Sequence, residues 1–238
     1  MKGITIKILF ATCTILVFVA CKKDYIIGGT LANANQYKNI TTYDFLKTNP
    51  AFDTLVSLID TAGIKDKINQ QGTTFFAPTN TSIYNYLVLR TLYVQYNINQ
   101  YGKFAMDSLF YYLRTNKNGT RDSMLMYLIN VPLTYDKLTE SGVKYPTGLA
   151  GDSVLVSFPS TKASQSGYVT TVTSFPQLVY FTQLWKPYNI TGTNTASNVP
   201  NNVGVQTLVT TSGIQTQNGV VNVLSSAHNL FFYGTKIN

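Results

Sequence analysis

The sequence predicts an α+β domain, because its two halves have different hydrophobic periods. Between residues 42 and 129, apolar side chains recur at helical spacing, interrupted by one short apolar run at residues 73–77. From Val131 onward the pattern alternates with period two and is punctuated by Gly and Pro, as in short strands. Helices followed by strands are typical of α+β domains. We therefore expect one domain in which several short helices flank a β-sheet.

The first helices are predicted within residues 42–68. A short helix begins near Tyr43 and ends before Asn49-Pro50. Gly63 occupies a position at which helices commonly end in the left-handed conformation, and residues 64–68 form a further turn. Between these points an apolar stripe has the spacings i, i+3, i+4 and i+7 and consists of Phe52, Leu55, Val56 and Ile59. Two more helices are predicted at residues 106–113 and 123–129.

Residues 72–86, GTTFFAPTNTSIYNY, predict a strand, a sharp stop and a helix start. The run 73–77 is β-branched and aromatic, which favours a buried strand. Pro78 ends the strand because it lacks a backbone N–H for the ladder. Thr79 or Asn80 can then cap the following helix with a side-chain oxygen.

The segment 82–101 is rich in tyrosine and allows two interpretations. The tyrosines could form an aromatic platform for sugars. Alternatively, the segment is an amphipathic helix with half-buried rings, and its apolar residues belong to the core. We favour the second interpretation because the tyrosines alternate with Leu87, Leu89, Leu92 and Ile98.

The second half of the chain predicts strands at residues 153–158, 168–172, 177–182, 205–210 and 220–224, with a last apolar run at 230–233. The stretch 186–203 is rich in Asn, Thr, Gly and Pro and is predicted to be an inserted loop or hairpin.

Two motifs resemble the signatures of the fasciclin-like (FAS1) domain. The first matches the pattern TxFAPTN at Thr74, Phe76, Ala77, Pro78, Thr79 and Asn80. The second matches an NGVVHVI-type strand at Asn218, Gly219, Val220, Val221 and Val223. The resemblance implies a FAS1-like β-sandwich or wedge flanked by short helices over residues 41–238. It also implies a structural role for these motif residues and a non-catalytic adhesion function.

One position departs from the family pattern. FAS1 domains usually have a Tyr-His pair before a short strand, and here Tyr127 is followed by Leu128. The adhesion contacts linked to that pair are therefore not expected of this chain.

The first 20 residues have the pattern of a lipoprotein signal peptide. Lys2 and Lys7 precede a short apolar run that ends in Val19-Ala20-Cys21, which resembles a bacterial lipobox. Cys21 is therefore the predicted lipidation site, and residues 21–40 are a predicted tether. The alternative is an ordinary signal peptide with an incidental cysteine.

Charged residues after Cys21 predict a location at the cell surface. Lys22-Lys23-Asp24 resembles export signals of Bacteroidetes lipoproteins, so we expect the outer membrane and its exterior face. Removing Lys2 and Lys7 lowers the formal net charge from +8 to +6. The remaining cations are scattered, which argues against a nucleic-acid groove and is compatible with acidic glycans or lipopolysaccharide.

No residue pattern indicates catalysis, a metal or another cofactor. His228 is the single histidine, and it is predicted to be a structural or surface residue. A Ser-His-Asp triad on His228 would be formally possible, but no Gly-x-Ser-x-Gly elbow is present. A single histidine without a cysteine other than Cys21 in the mature chain cannot form a common zinc site.

Five Asp-Ser/Thr-apolar triplets, which begin at Asp53, Asp60, Asp107, Asp122 and Asp152, resemble O-glycosylation sites of Bacteroidetes. They are equally explained by the preference of Asp, Ser and Thr for helix starts.

The sequence thus predicts a non-catalytic adhesion or protein-interaction module, displayed by a lipid anchor. The alternative is an accessory glycan-binding component of an outer-membrane nutrient-uptake complex. Trp185 and Tyr188 are the candidate partner-binding residues, because they precede the polar loop. For Trp185 we also weigh a role in the core. The expected partners are the membrane, a surface protein or glycan, and an outer-membrane transporter.

Overall fold

The computed structural model describes residues 36–160 and 176–236. All of them belong to one compact unit that spans residues 32–238. Cys21, the signal segment, most of the predicted tether and the strand predicted at residues 168–172 lie outside the described residues.

A seven-stranded sheet forms the framework. Its strands follow one another in space as β2-β1-β7-β6-β5-β4-β3. Most neighbours are antiparallel, but β1 and β7 are parallel. A bridge between Ile129 and Thr147 joins the two ends, so the sheet nearly closes on itself. The strands are β1 (Thr73–Ala77), β2 (Leu128–Ile129), β3 (Val143–Pro146), β4 (Ser153–Ser157), β5 (Tyr180–Leu184), β6 (Gly204–Gln215) and β7 (Gly219–Leu224).

The long strand β6 connects two parts of the sheet. Its first half pairs with β5, and its second half pairs with β7 through two shifts in register. At the second shift Gly213 has a φ of 72°, and its N–H donates to the Asn222 Oδ1 at 2.8 Å. The buried Asn222 side chain therefore replaces a ladder hydrogen bond that the bulge removes.

Six α-helices occur in the described part of the chain. Thr41 caps the first helix. Gly63 ends the second with a φ of 66°, as predicted. Short 3-10 helices lie at Pro50–Phe52, Met124–Tyr127 and Leu230–Phe232, among others. The α-helices are α1 (Thr42–Lys47), α2 (Asp53–Ala62), α3 (Lys65–Ile68), α4 (Asn80–Asn97), α5 (Met106–Thr115) and α6 (Thr120–Ser123).

Two predicted elements are wrong in type. The helix expected at 123–129 is the 3-10 turn Met124–Tyr127 followed by β2. Every residue from 124 to 129 is buried, so this run has no polar face by which periodicity could distinguish helix from strand. The apolar run 230–233 is a 3-10 turn in which Phe231 and Phe232 have φ angles of 60° and 52°.

Further strands differ in extent from the prediction. Strand β3 was not predicted, β5 begins three residues later than expected, and β6 continues to Gln215. The α+β class is confirmed by the sheet and its helices. The sandwich or wedge arrangement stays a prediction.

Candidate interaction surface

The two sequence motifs lie side by side on the parallel strands β1 and β7. Thr74 pairs with Val220, and Ala77 pairs with Val223. Gly219 faces Thr73, where a Cβ atom on residue 219 would overlap the Thr73 carbonyl. Parallel strands require a long connection between them, and here nearly the whole domain separates the two motifs.

The first motif is buried within the sheet. Thr74 Oγ1 donates to the Val131 carbonyl at 2.7 Å and accepts the Leu133 N–H at 2.7 Å. The Phe76 ring is fully buried, and its centroid lies 4.5 Å from that of Phe181. Ala77 and Pro78 are also buried. These side chains face the protein interior and offer no surface to a partner.

Thr79 and Asn80 have different roles at the start of α4. Thr79 is the N-cap residue, and its side chain accepts the Ser82 N–H at 3.4 Å. Asn80 instead accepts the Thr54 N–H at 3.0 Å and donates to the Pro50 carbonyl at 2.8 Å. Asn80 thereby connects the start of α4 to the start of α2.

In the second motif, Asn218 joins three segments. Its Oδ1 accepts the Thr42 N–H at 2.7 Å, and its Nδ2 donates to the Ile68 carbonyl at 3.2 Å. Its own carbonyl accepts the Gly72 N–H at 2.8 Å. Through its buried side-chain amide and its carbonyl, Asn218 therefore holds the starts of α1 and β1 and the end of α3 to the turn before β7.

Trp185 packs partly against the core. Its ring is half-buried and meets the Phe232 ring edge-on at 6.2 Å between centroids. The indole N–H is buried and has no hydrogen-bond partner among residues 36–160 and 176–236. The structure thus places Trp185 at the edge of the core rather than on an open face.

Tyr188 stabilises the polar loop formed by residues 185–203. Its hydroxyl donates to the Thr195 carbonyl at 3.1 Å. Within the same loop, Ala196 is buried, and its N–H donates to the Ser141 carbonyl at 2.8 Å. The loop therefore packs onto the domain through Ala196, although residues 191–194 are exposed.

The largest exposed aromatic surface lies elsewhere, along α4 and the turn that follows it. Of the ten exposed large hydrophobic residues in the described chain, seven lie within residues 84–101. Tyr96 and Tyr101 are 85% and 86% exposed. We call this the α4 surface; it consists of Tyr84, Val88, Leu92, Tyr93, Tyr96, Ile98 and Tyr101.

This surface corrects the prediction that Leu92 and Ile98 belong to the core. Leu92 is 42% exposed and Ile98 is 72% exposed. The first half of α4 packs on the domain through Ile83 and Tyr86, whereas from residue 92 onward all side chains except that of Val94 are exposed. Because α4 is apolar on several sides, periodicity could not indicate which half lies against the domain.

An open groove of about 550 Å³ runs beside the first half of α4. Leu87, Val88 and Leu92 form one wall, and Phe104 and Met106 form the other. Lys103 and Asp107 lie at its rim. The groove is therefore apolar inside and charged at the edge.

The guanidinium of Arg90 lies among aromatic rings that include Phe104. Its carbon lies 4.8 Å from the centroid of Phe104, 5.2 Å from that of Tyr233 and 5.6 Å from that of Tyr93. Its Nη1 donates to the Tyr233 hydroxyl at 3.4 Å. Such cation–π contacts stabilise a partly desolvated cation.

The single histidine, His228, is buried. His228 Nε2 lies 2.8 Å from the hydroxyl of Tyr127, which is itself fully buried. Burial lowers the pKa of His228 to about 3, so the ring is neutral at ordinary pH. It raises the pKa of Tyr127 well above the usual range, so the phenol keeps its proton. Sequence reasoning missed this pair because 101 residues separate its members.

Metal ligands do not cluster in the described parts of the chain, where no group of three His, Cys, Asp or Glu side chains is found. Nor does any helix there have the length and apolar character that crossing a membrane would require.

Comparisons with known proteins find similarity among solved structures. No family model matches the chain, and no curated protein matches it. Among solved structures, the FAS1 domain pair of the insect cell adhesion molecule fasciclin I aligns with a TM-score of 0.42 and 15% sequence identity. The alignment covers 78% of this chain and 46% of that chain, so this chain matches less than half of the neighbour's length.

Proposed function

We propose that this protein is a non-catalytic adhesion or protein-interaction module and that the α4 surface contacts its partner. The supporting observation is the concentration of exposed aromatic and aliphatic side chains within residues 84–101. Contiguous exposed apolar side chains mark interaction sites, and Tyr contributes strongly to interface energetics. The module would be lipid-anchored through Cys21 in the outer membrane and would face the cell exterior.

We assign the domain to the FAS1 type, with a sandwich or wedge arrangement of its sheet. The motif residues Thr74–Asn80 and Asn218–Val223 support this assignment, together with their parallel pairing. The non-catalytic character is supported by His228, whose Nε2 is engaged by Tyr127 inside the core.

A second candidate function is that of an accessory glycan-binding component of a nutrient-uptake complex. Exposed Tyr96 and Tyr101 lie beside exposed amide side chains at Asn97, Asn99 and Gln100. Aromatic faces pack against the C–H faces of sugar rings, and amides both donate to and accept from hydroxyls.

The anchor is tested by mass spectrometry of the mature N-terminus from purified membranes. We expect an acylated cysteine at residue 21 as the first residue. An unmodified peptide spanning Ala20–Cys21 would contradict lipidation.

The partner surface is tested by co-purification from detergent-solubilised membranes of the native organism. We expect the double variant Tyr96→Ser/Tyr101→Ser to lose a partner that the wild type retains. Tyr135→Ser is the matched control, because Tyr135 is 50% exposed and lies outside the α4 surface.

The loop candidates Trp185 and Tyr188 are tested in the same assay. Tyr188→Ala is preferable to deletion of residues 191–200, because deletion also removes the buried Ala196. Trp185→Ala would disturb the contact with Phe232. If Tyr188→Ala loses the partner and Tyr96→Ser/Tyr101→Ser retains it in full, the partner binds the loop instead of the α4 surface.

A further inference from the structure

Arg90 is a half-buried cation that has no anionic partner among residues 36–160 and 176–236. Its Nε is buried and makes no hydrogen bond with any residue in ranges 36–160 and 176–236. A guanidinium has five N–H donors, and the described structure pairs it with one acceptor, the Tyr233 hydroxyl. Within the same ranges, the single salt bridge is that between Arg121 and Asp122.

The surrounding rings hold this guanidinium in place. Tyr86 meets Phe104 and Tyr233 edge-on, with centroids 5.9 and 5.4 Å apart. These two rings are also the nearest aromatic neighbours of the Arg90 guanidinium. An immobilised planar fork loses less entropy on binding a carboxylate than a free side chain does.

Cations outnumber carboxylates in the segment of the chain that contains Arg90. Between residues 80 and 119 the chain has four cations and a single carboxylate, that of Asp107. Lys117 Nζ lies 5.0 Å from the Tyr112 ring, and that ring meets Phe104 edge-on at 5.3 Å. Arg90 and Lys117 therefore border the same aromatic cluster, so the local field favours an anion.

We propose that Arg90 and the adjoining α4 rings form a binding site for the carboxylate of an acidic glycan, that is, a uronic-acid oligosaccharide. The inference rests on the second candidate function, glycan binding, and specifies the chemistry of the ligand. Because Nε is buried and Nη1 donates to Tyr233, the carboxylate binds the guanidinium from the side of Nη2, and neighbouring sugar rings pack on exposed tyrosines.

The residues beside Arg90 favour a glycan over an acidic peptide. Tyr93 lies one turn beyond Arg90, and Tyr96 lies one turn beyond Tyr93, so the rings continue along the helix from the charge. Tyr96 and Tyr101 are followed or preceded by exposed amides at Asn97 and Gln100. Alternating rings and amides suit a polymer of hydroxyl-rich rings.

The experiment is calorimetric titration of the full chain in mild detergent with two probes. One probe is hexameric oligogalacturonate, and the other is its fully methyl-esterified form, which has the same rings without the charges. We expect the acid to bind at least about tenfold more tightly, with an affinity that decreases as salt is added.

Variants assign the difference to Arg90. In Arg90→Gln the preference for the acid over the ester should disappear, whereas Arg90→Lys should retain part of it. Lys67→Gln is the matched control, because it removes one exposed cation on α3 and should retain the preference in full. Thermal melting of each variant in the same detergent identifies any loss of fold, and the comparison of probes on the wild type does not depend on the variants.

Several outcomes would overturn the inference. These are equal affinity for the acid and the ester, no binding of either, or an unchanged preference in a folded Arg90→Gln protein. Hexaglutamate that binds as tightly as the oligouronate would overturn the glycan class. In each case the proposed function stands if the partner still co-purifies in a manner that depends on Tyr96 and Tyr101.

Discussion

The Tyr127 hydroxyl lies 2.8 Å from His228 Nε2 in the core and also accepts the Phe231 N–H at 2.7 Å. Phe231 has a φ of 60°, a conformation that is uncommon for a bulky residue. That conformation directs its N–H to Tyr127 and its ring edge-on to Tyr86, with centroids 5.5 Å apart. Tyr127 thus stabilises the strained turn Leu230–Phe232, and that turn holds Tyr233 near Arg90.

The first prediction concerns the Tyr127 hydroxyl. Tyr127→Phe leaves both the Phe231 N–H and His228 Nε2 without their partner inside the core. We expect the free energy of unfolding to fall by about 1–3 kcal/mol. Urea unfolding of the full chain in mild detergent measures it. Tyr135→Phe is the control, since that hydroxyl donates to the Ser212 carbonyl at an exposed position, and its loss should cost less than about 1 kcal/mol. Equal effects of the two variants would contradict the structural role.

The second prediction concerns acid stability. Burial lowers the pKa of His228 from 6.5 to about 3, so below pH 6.5 the unfolded state takes up a proton that the folded state does not. Stability therefore decreases as the pH falls from about 6.5 toward about 3, and above that window His228 contributes no pH dependence. Between pH 7.5 and pH 5 we expect a loss of about 2 kcal/mol from this group.

His228→Gln provides the comparison for that loss. The variant has no group that titrates at this position, so its unfolding free energy should vary less between pH 7.5 and pH 5 than that of the wild type. Most carboxylates remain ionised over this interval. Parallel pH profiles of the two proteins would show that His228 is not buried in the neutral form.

The third prediction concerns Phe76. Phe76→Ala removes a fully buried ring from contact with Phe181 and leaves a cavity, so we expect a loss of about 3–5 kcal/mol. Tyr84→Ala is the matched control because Tyr84 is 66% exposed, and its melting temperature should stay close to that of the wild type. A Phe76→Ala protein that melts within a degree or two of the wild type would refute the burial of this residue.

The fourth prediction concerns the amide of Asn218. Asn218→Asp keeps an oxygen for the Thr42 N–H but places a second oxygen opposite the Ile68 carbonyl, to which Nδ2 donates at 3.2 Å. We expect a loss of about 2 kcal/mol or more at pH 7. In acid, a protonated carboxyl can donate to that carbonyl, so the deficit relative to the wild type should shrink. The exposed Asn189→Asp serves as control, and a deficit that is independent of pH would contradict the assigned hydrogen bonds.

Local patterns predicted the elements whose signals are local. Gly63 ends α2, Thr79 caps α4 and Pro78 follows β1, each for a reason contained within a few residues of chain. The short strand β3 and the turn Leu230–Phe232 were missed or mistaken, because their conformations depend on neighbours distant in sequence. The helix predicted at residues 123–129 is wrong because the fully buried run 124–129 has no polar face that would distinguish a helix from a strand.

The candidate site, too, was only partly predictable from the sequence. The sequence shows the tyrosine-rich segment but not which half of it is exposed. A helix that is apolar on several sides does not indicate which side packs against the core. A single cation such as Arg90 in that segment does not by itself indicate a binding site. Its guanidinium is surrounded by the rings of Phe104 and Tyr233, which lie outside α4.

The sequence by itself determined the α+β class and the strand–proline–helix motif, because hydrophobic period and capping signals act over short stretches of chain. The tertiary structure alone decided the parallel pairing of β1 with β7, the burial of His228 against Tyr127 and the contact of Tyr233 with Arg90. Each of these joins residues far apart in the chain, and such contacts form only when the free energy of packing exceeds the entropy lost in closing the long loops between them.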